Sequence, residues 1–214
     1  MTGRKPGRHN RAFSTKRDLR IDAVDLTGRE DCRVLDCFAG TGALWRAVRQ
    51  ERPLIDVDHI EIDRAVAVGG AMIGDNLNVM AGLDLDVYDV IDLDAFGWPD
   101  KQLALIAERR AGRLPVVTAT CCGQLYTAVP RLVTDAVGIP RSWPPGVVSR
   151  GHEQWWDQFL ASLGWGRSIR WRASRGGGWA RYEVLVPPGA DAGSPRGADR
   201  RGRAPSPSGS PPTA

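Results

Sequence analysis

Arg33-Val34-Leu35-Asp36-Cys37-Phe38-Ala39-Gly40-Thr41-Gly42-Ala43-Leu44 is the stretch that decides how this chain folds. Strand-compatible residues run into an acid, then a glycine-rich turn, then a helix-forming segment. That order predicts a strand–loop–helix unit. Its loop lets a ligand come close to the backbone, because glycine lacks a Cβ and tolerates positive φ. A dinucleotide fingerprint would read G-x-G-x-x-G, with a pyrophosphate at the helix start. Here the pattern is D-x-F-x-G-x-G. A carboxylate before the turn suits a cationic ligand better than a pyrophosphate.

Outward from this unit, strand-like and helix-like runs alternate. Cys32–Asp36 reads as the first strand and Gly42–Gln50 as a helix. Val57–Ile62 reads as a second strand ending in acids, Arg64–Gly69 as a short helix, and Met72–Gly74 as a short third strand. Tyr88–Leu93 is a fourth strand, Leu103–Arg110 a helix and Leu114–Thr118 a fifth strand. Such alternation predicts a parallel sheet with helices on both faces. The end of the chain changes character. Glu153–Leu163 carries Trp155, Trp156, Phe159, Leu160 and Leu163 at helical spacing, with Gly164 as a stop. Ser168–Ser174 and Trp179–Val186 then flank Arg175-Gly176-Gly177-Gly178 as a hairpin.

Composition bounds the rest. The 214 residues suffice for one full-sized domain with tails. No apolar run reaches membrane-spanning length and the basic N-terminus is not followed by an apolar segment, so a soluble, cytoplasmic protein is expected. Residues 1–20 hold seven Lys/Arg against one acid, whereas residues 21–130 hold ten against eighteen. The division expected is a basic, flexible arm over 1–20, a domain over 21–188, and a disordered Pro/Gly/Ser/Arg-rich tail over 189–214. Basic ends around an acidic centre are compatible with a polyanionic partner, and equally with a solvated surface. Cys32, Cys37, Cys121 and Cys122 form no C-x-x-C pattern, and reduced thiols are expected. No metal site is expected.

Taken together, residues 30–188 resemble the class I S-adenosylmethionine (SAM)-dependent methyltransferases. The resemblance implies a Rossmann-like α/β fold with a mostly parallel seven-stranded sheet and a C-terminal antiparallel hairpin. It also implies SAM, whose ammonium and sulfonium suit the acid before the loop. The first motif is similar to that of ribosomal RNA guanine-N2 methyltransferases, which implies Asp36, Phe38, Gly40 and Gly42 at the methionine end of SAM. Glu61, in His59-Ile60-Glu61-Ile62-Asp63, matches the family's ribose-binding acid; a carboxylate can accept from both hydroxyls of a diol. Asp75, in Ile73-Gly74-Asp75-Asn76, matches an acid that reaches the adenine amino group, although Gly-Asp-Asn is also a common turn.

The fourth motif bears on chemistry. Asp94-Ala95-Phe96-Gly97-Trp98-Pro99 resembles the loop of tRNA guanine-N2 dimethyltransferases at Asp94, Phe96, Gly97 and Pro99, with alanine where that family has proline. The resemblance implies Asp94 and Phe96 as the catalytic pair. An exocyclic amino group is a poor nucleophile because its lone pair is delocalised. A carboxylate that accepts its N–H can orient that lone pair, and an aromatic ring can stack on the base. Asp92, two residues earlier, could share a face with Asp94 as a supporting acid.

Other candidates carry less. Thr120-Cys121 matches a nucleophile position of RNA cytosine-C5 methyltransferases, but their companion Pro-Cys is absent, and a merely buried cysteine is the commoner case. Val117-Thr118-Ala119-Thr120 is similar to a run in the tRNA dimethyltransferases. His59 reads as packed within its strand. Arg167, Arg170, Arg172, Arg175 and Arg181 interleave with Trp165, Trp171, Trp179 and Tyr182, which suits single-stranded nucleic acid; the tryptophans are expected instead to pack the hairpin on the helices, and the arginines stay open between solvent and nucleic acid. The function expected is SAM-dependent N-methylation of a guanine-N2-like nucleobase amine, in RNA more than DNA. The rivals are a DNA, protein or small-molecule methyltransferase of the same fold, and a non-catalytic SAM- or nucleic-acid-binding protein.

Overall fold

The computed structural model describes residues 13–95, 97–122, 129–143, 151–175 and 178–188. Seven strands form one sheet: β1 (Arg33–Asp36), β2 (Asp56–Glu61), β3 (Met72–Ile73), β4 (Val90–Leu93), β5 (Val116–Cys122), β6 (Arg167–Arg175) and β7 (Gly178–Val186). Their order is β3-β2-β1-β4-β5-β7-β6. The first five pair in parallel, and β7 enters antiparallel between β5 and β6. The expected parallel sheet with a terminal hairpin is therefore present. The helices described are α1 (Phe13–Thr27), α2 (Ala43–Glu51), α3 (Asn76–Gly82), α4 (Asp100–Arg109), α5 (Arg131–Ala136) and α6 (His152–Ser162). Among the described residues no helix is long and apolar enough to cross a membrane.

Strand alternation divides the core into two layers. Val34, Val90, Val116 and Val184 face one side, where they meet Leu19, Ala23 and Val24 of α1 and Trp45 and Val48 of α2. Leu35, Ile91, Val117 and Leu185 face the other, against Met80, Leu103, Ile106, Trp156 and Phe159. Both faces are covered, which is why the central strands read as continuous apolar runs.

Two differences from the sequence reading matter. Arg64–Gly69 is a turn region, not a helix: Asp63 accepts from the Ala65 amide at 2.9 Å, and the Val68 amide is drawn to the Gly40 carbonyl at 3.2 Å. An aspartate that bonds its own backbone two residues on favours a turn over a helix. The boundary expected at residue 20 falls inside α1, whose Leu19, Arg20, Ala23 and Val24 are buried. Residues 1–12 and the tail 189–214 lie outside the described residues.

Candidate active site

Parallel register brings one row of polar side chains together at the carboxyl ends of the strands. His59 of β2 pairs with Asp36 of β1, Asp36 with Asp92 of β4, and Asp92 with Thr118 of β5. Neighbouring parallel strands lie about 4.8 Å apart, so these side chains meet laterally on the α1 face. His59 Nδ1 is 3.1 Å from Asp36 Oδ2, and the Phe38 amide donates to Asp36 Oδ1 at 3.3 Å. Asp36 is thus a buried acid that ties β2 to the glycine loop. His59 is a partner of that acid, beyond the packed role expected.

Asp92 is the electrostatic centre of the row. It accepts from Arg20 Nε (2.7 Å) and Nη2 (2.9 Å), from the Trp45 indole (2.8 Å) and from the Thr118 hydroxyl (2.6 Å). Burial pushes the Asp92 carboxyl up to about 6, against the pull of Arg20 and with help from Asp36 and Asp94. Asp94 lies one step beyond the strand. Lys16 Nζ is 2.6 and 2.7 Å from its two oxygens, and Arg20 Nη2 is 3.3 Å from Oδ2. Burial opposes its charge too, but Arg20, Lys16 and the Thr120 hydroxyl together hold Asp94 below the ordinary carboxylate value. Two acids two residues apart are therefore shifted in opposite directions, a pattern typical of functional sites.

The glycine loop closes over the ends of β1 and β2. The Ala39 amide donates to the Ile60 carbonyl at 3.1 Å, and the Gly40 amide to Glu61 Oε2 at 2.6 Å. Gly40 and Gly42 have φ of 50° and 68°. A Cβ on Gly42 would lie 3.2 Å from Val68, whereas one on Gly40 would meet nothing within 4 Å. Gly40 therefore borders open space. Glu61 Oε1 also accepts from the Ile62 and Asp63 amides at 2.9 and 3.1 Å. With three of about four acceptor positions used, Glu61 organises its own turn and keeps one position open. Ile62 beside it is 71% exposed and Ile73 of neighbouring β3 is 39% exposed, an uncovered apolar surface next to the acid. Asp75 is the N-cap of α3, accepting from the Asn78 amide at 3.1 Å.

The structure thus brings Asp36, Phe38, Gly40, Gly42 and Glu61 into one loop cluster, with Asp94 beyond the same edge and Asp75 at a helix cap just past β3. Phe96 and the Cys121 side chain lie outside the described residues, as do the side chains of Arg167, Arg170, Arg172, Arg175, Trp171 and Trp179. Arg181, held open above for nucleic acid, is buried: it donates to Glu183 at 2.9 Å and to Asp157 at 3.0 Å. It braces the hairpin against α6. Lys16, Arg20, Trp45 and Ile62 were missed in the sequence. The signal for the first two was their i,i+4 spacing beside Leu19, Ala23 and Val24, which places both on the buried face of a helix. Among the described residues no group of three or more His, Cys, Asp or Glu side chains is placed to hold a metal ion.

No protein-family model matches the sequence, and no curated protein matches it. Solved structures do. Trm1 from Pyrococcus horikoshii with S-adenosyl-L-methionine superposes with a TM-score of 0.52 at 17% identity, over 85% of this chain and 56% of that one. TYW2 from M. jannaschii in complex with AdoMet gives 0.51 at 14% identity, over 84% of this chain and 77% of that one. The fold is that of the class I SAM-dependent methyltransferases. The plantazolicin methyltransferase BamL, in complex with a triazolic desmethylPZN analog and SAH, gives 0.50 at 10% identity, over 82% of this chain and 84% of that one.

Proposed function

We propose that this chain is a SAM-dependent methyltransferase that methylates a nucleobase amino group of the guanine-N2 type, in RNA. The observation that carries the reading is Asp94: an ionised carboxylate just past the end of β4, with its charge held by Lys16 and Arg20. Its place beside the glycine loop matches where open α/β sheets bind ligands.

The residues present fit SAM. Gly40 leaves open space that a side chain would fill, Glu61 keeps an acceptor position for a ribose hydroxyl, and Ile62 offers an apolar surface to a ring. Asp36, Phe38, Gly40 and Gly42 would hold the methionine end, and Asp75 would meet the adenine amino group. The neighbours that carry AdoMet or SAH support the same cofactor. When bound, SAM would supply an electrophilic methyl group to the lone pair of the amine nitrogen, its sulfur keeping the electron pair of the C–S bond. Asp94 accepts one N–H of the acceptor amine and so aims the lone pair. The nitrogen gives up one proton as it is methylated, to Asp94 or to water. A carboxylate suffices as acceptor here, because a methylated nucleobase amine loses that proton readily. Phe96 would stack on the base.

Methyl-labelled SAM incubated with total RNA, DNA and protein fractions tests the reading. Label is expected in RNA, and Asp94→Ala is expected to reduce it at least about 100-fold with SAM affinity retained. Label confined to DNA or protein would overturn the acceptor class, and loss of SAM binding in Asp94→Ala would overturn the role given to Asp94.

A further inference from the structure

The Asp94 carboxylate already holds an amine. Lys16 Nζ bridges its two oxygens at 2.6 and 2.7 Å, and Arg20 reaches Oδ2 at 3.3 Å. A carboxylate offers about four acceptor positions, so these three hydrogen bonds leave one, beside Lys16, for an incoming amino group. The donors differ in how firmly they are held. Arg20 is 3% exposed and locked by Asp92 and by its 2.9 Å bond to the Lys16 carbonyl. Lys16 is 20% exposed, at the mouth of the site on a flexible four-carbon stem, with the Tyr182 ring 5.6 Å from its ammonium. Arg20 is the fixed counter-ion and Lys16 the movable one.

We propose that Lys16 determines which amines the site accepts. Its ammonium crowds the acceptor position left on Asp94 and stays beside the bound amine, so that uncharged nucleobase amines enter and alkylammonium groups are turned away. This rests on the reading of Asp94 as the amine-orienting carboxylate. An alkylammonium would bring a third positive charge next to Lys16 and Arg20, at separations where like charges repel strongly. It also carries no lone pair until it loses a proton, and Asp94, flanked by two cations, is a poor base for that task. A nucleobase amine is neutral near pH 7 and needs no prior deprotonation.

The test compares the wild-type chain with Lys16→Met and Lys16→Arg, using labelled SAM and two acceptors, an unstructured guanine-containing RNA and spermidine, with SAM affinity measured by calorimetry. The wild type is expected to label the RNA and not spermidine. Lys16→Met should raise the spermidine-to-RNA ratio of kcat/KM by roughly tenfold or more, and Lys16→Arg should keep the wild-type ratio, with SAM affinity unchanged in both. A ratio unmoved in Lys16→Met while RNA is labelled overturns the role of Lys16 alone. Loss of SAM binding in Lys16→Met makes Lys16 structural and also overturns it. Wild-type preference for spermidine overturns it as well. No label in either acceptor with any of the three proteins overturns the reading of Asp94, and this proposal with it.

Discussion

Arg20→Met removes the cation that neutralises the buried row, and its cost follows from the contacts. Asp92 would lose the bonds at 2.7 and 2.9 Å and keep only the Trp45 indole and the Thr118 hydroxyl. Its side chain is 2% exposed, so water cannot replace the lost charge. Breaking a buried ion pair on one side costs about 3–5 kcal/mol, a large part of the roughly 5–15 kcal/mol that holds a domain together. With a urea m-value of about 2 kcal/mol/M, the midpoint should fall by about 2 M at pH 8. The penalty should also depend on pH. Burial raises Asp92 in the native protein to about 6. The stability tied to its protonated form is complete below the unfolded value near 3.8 and is lost as pH rises through about 6. Without Arg20 the carboxyl rises further, so the variant recovers about 1.4 kcal/mol for each pH unit below its new value. Between pH 8 and 6 the gap from wild type should narrow by up to about 3 kcal/mol. In the wild type Asp94 stays outside this window, since its value is lowered and its contribution is lost only in more acid solution; the variant also removes the Arg20 contact to Asp94, so the carboxyl of Asp94 rises in the same direction as that of Asp92. Arg20→Met/Asp92→Asn, which removes the Asp92 charge together with its partner, should regain about 2 kcal/mol or more over Arg20→Met at pH 8. Urea melts at pH 6 and 8 decide the matter. A penalty below about 1 kcal/mol, or one equal at both pH values, would refute the claim that Arg20 neutralises a buried Asp92 carboxylate.

Two further substitutions probe the glycine loop and the cofactor role proposed for it. Glu61→Gln replaces an acceptor of three backbone amides with a group that has one acceptor oxygen and a donor facing N–H groups; calorimetry should show SAM affinity reduced by roughly tenfold or more. Gly42→Ala puts a Cβ 3.2 Å from Val68 on a backbone with φ of 68°, so a thermal melt should show a loss of about 1–2 kcal/mol, accompanied by weaker SAM binding. An unchanged melt would mean the loop relaxes freely.

The sheet was legible because its signals are local. The apolar runs at Val34, Val90 and Val116, the glycines at 40 and 42, and the stop at Gly164 each announce an element within a few residues. The acids on the strand ends were legible too, as residue types in the right places. Their charge states were not, because these depend on contacts 72 and 78 residues apart in sequence, Arg20 to Asp92 and Lys16 to Asp94. The basic run before residue 20 reads by composition as a solvated arm. The opposite signal, Leu19, Ala23 and Val24 interleaved with Lys16 and Arg20, becomes readable only once the sheet face beneath them is known to end in Asp92 and Asp94. The turn at Asp63 was misread for a related reason. Arg64–Gly69 has helix-compatible residues, but their amides are claimed by Asp63 and by Gly40, a loop brought near only by the fold.

That dependence bears on how the site divides its work. Asp36, Asp92 and Asp94 are the same residue type on adjacent strand ends, and a sequence gives no reason to assign them different tasks. Their surroundings do. Asp36 shares its oxygens with His59 and the Phe38 amide and holds the loop. Asp92 is raised by burial and fastens α1 to the sheet through Arg20. Asp94 is the most exposed of the three and keeps its charge because Arg20 and Lys16 outweigh its burial. Arg20 touches both Asp92 and Asp94, so one guanidinium links the stability of the sheet end to the charge on Asp94. Substituting Arg20 should therefore disturb Asp94 as well as stability, whereas substituting Lys16 should change what Asp94 receives and leave Asp92 fastened.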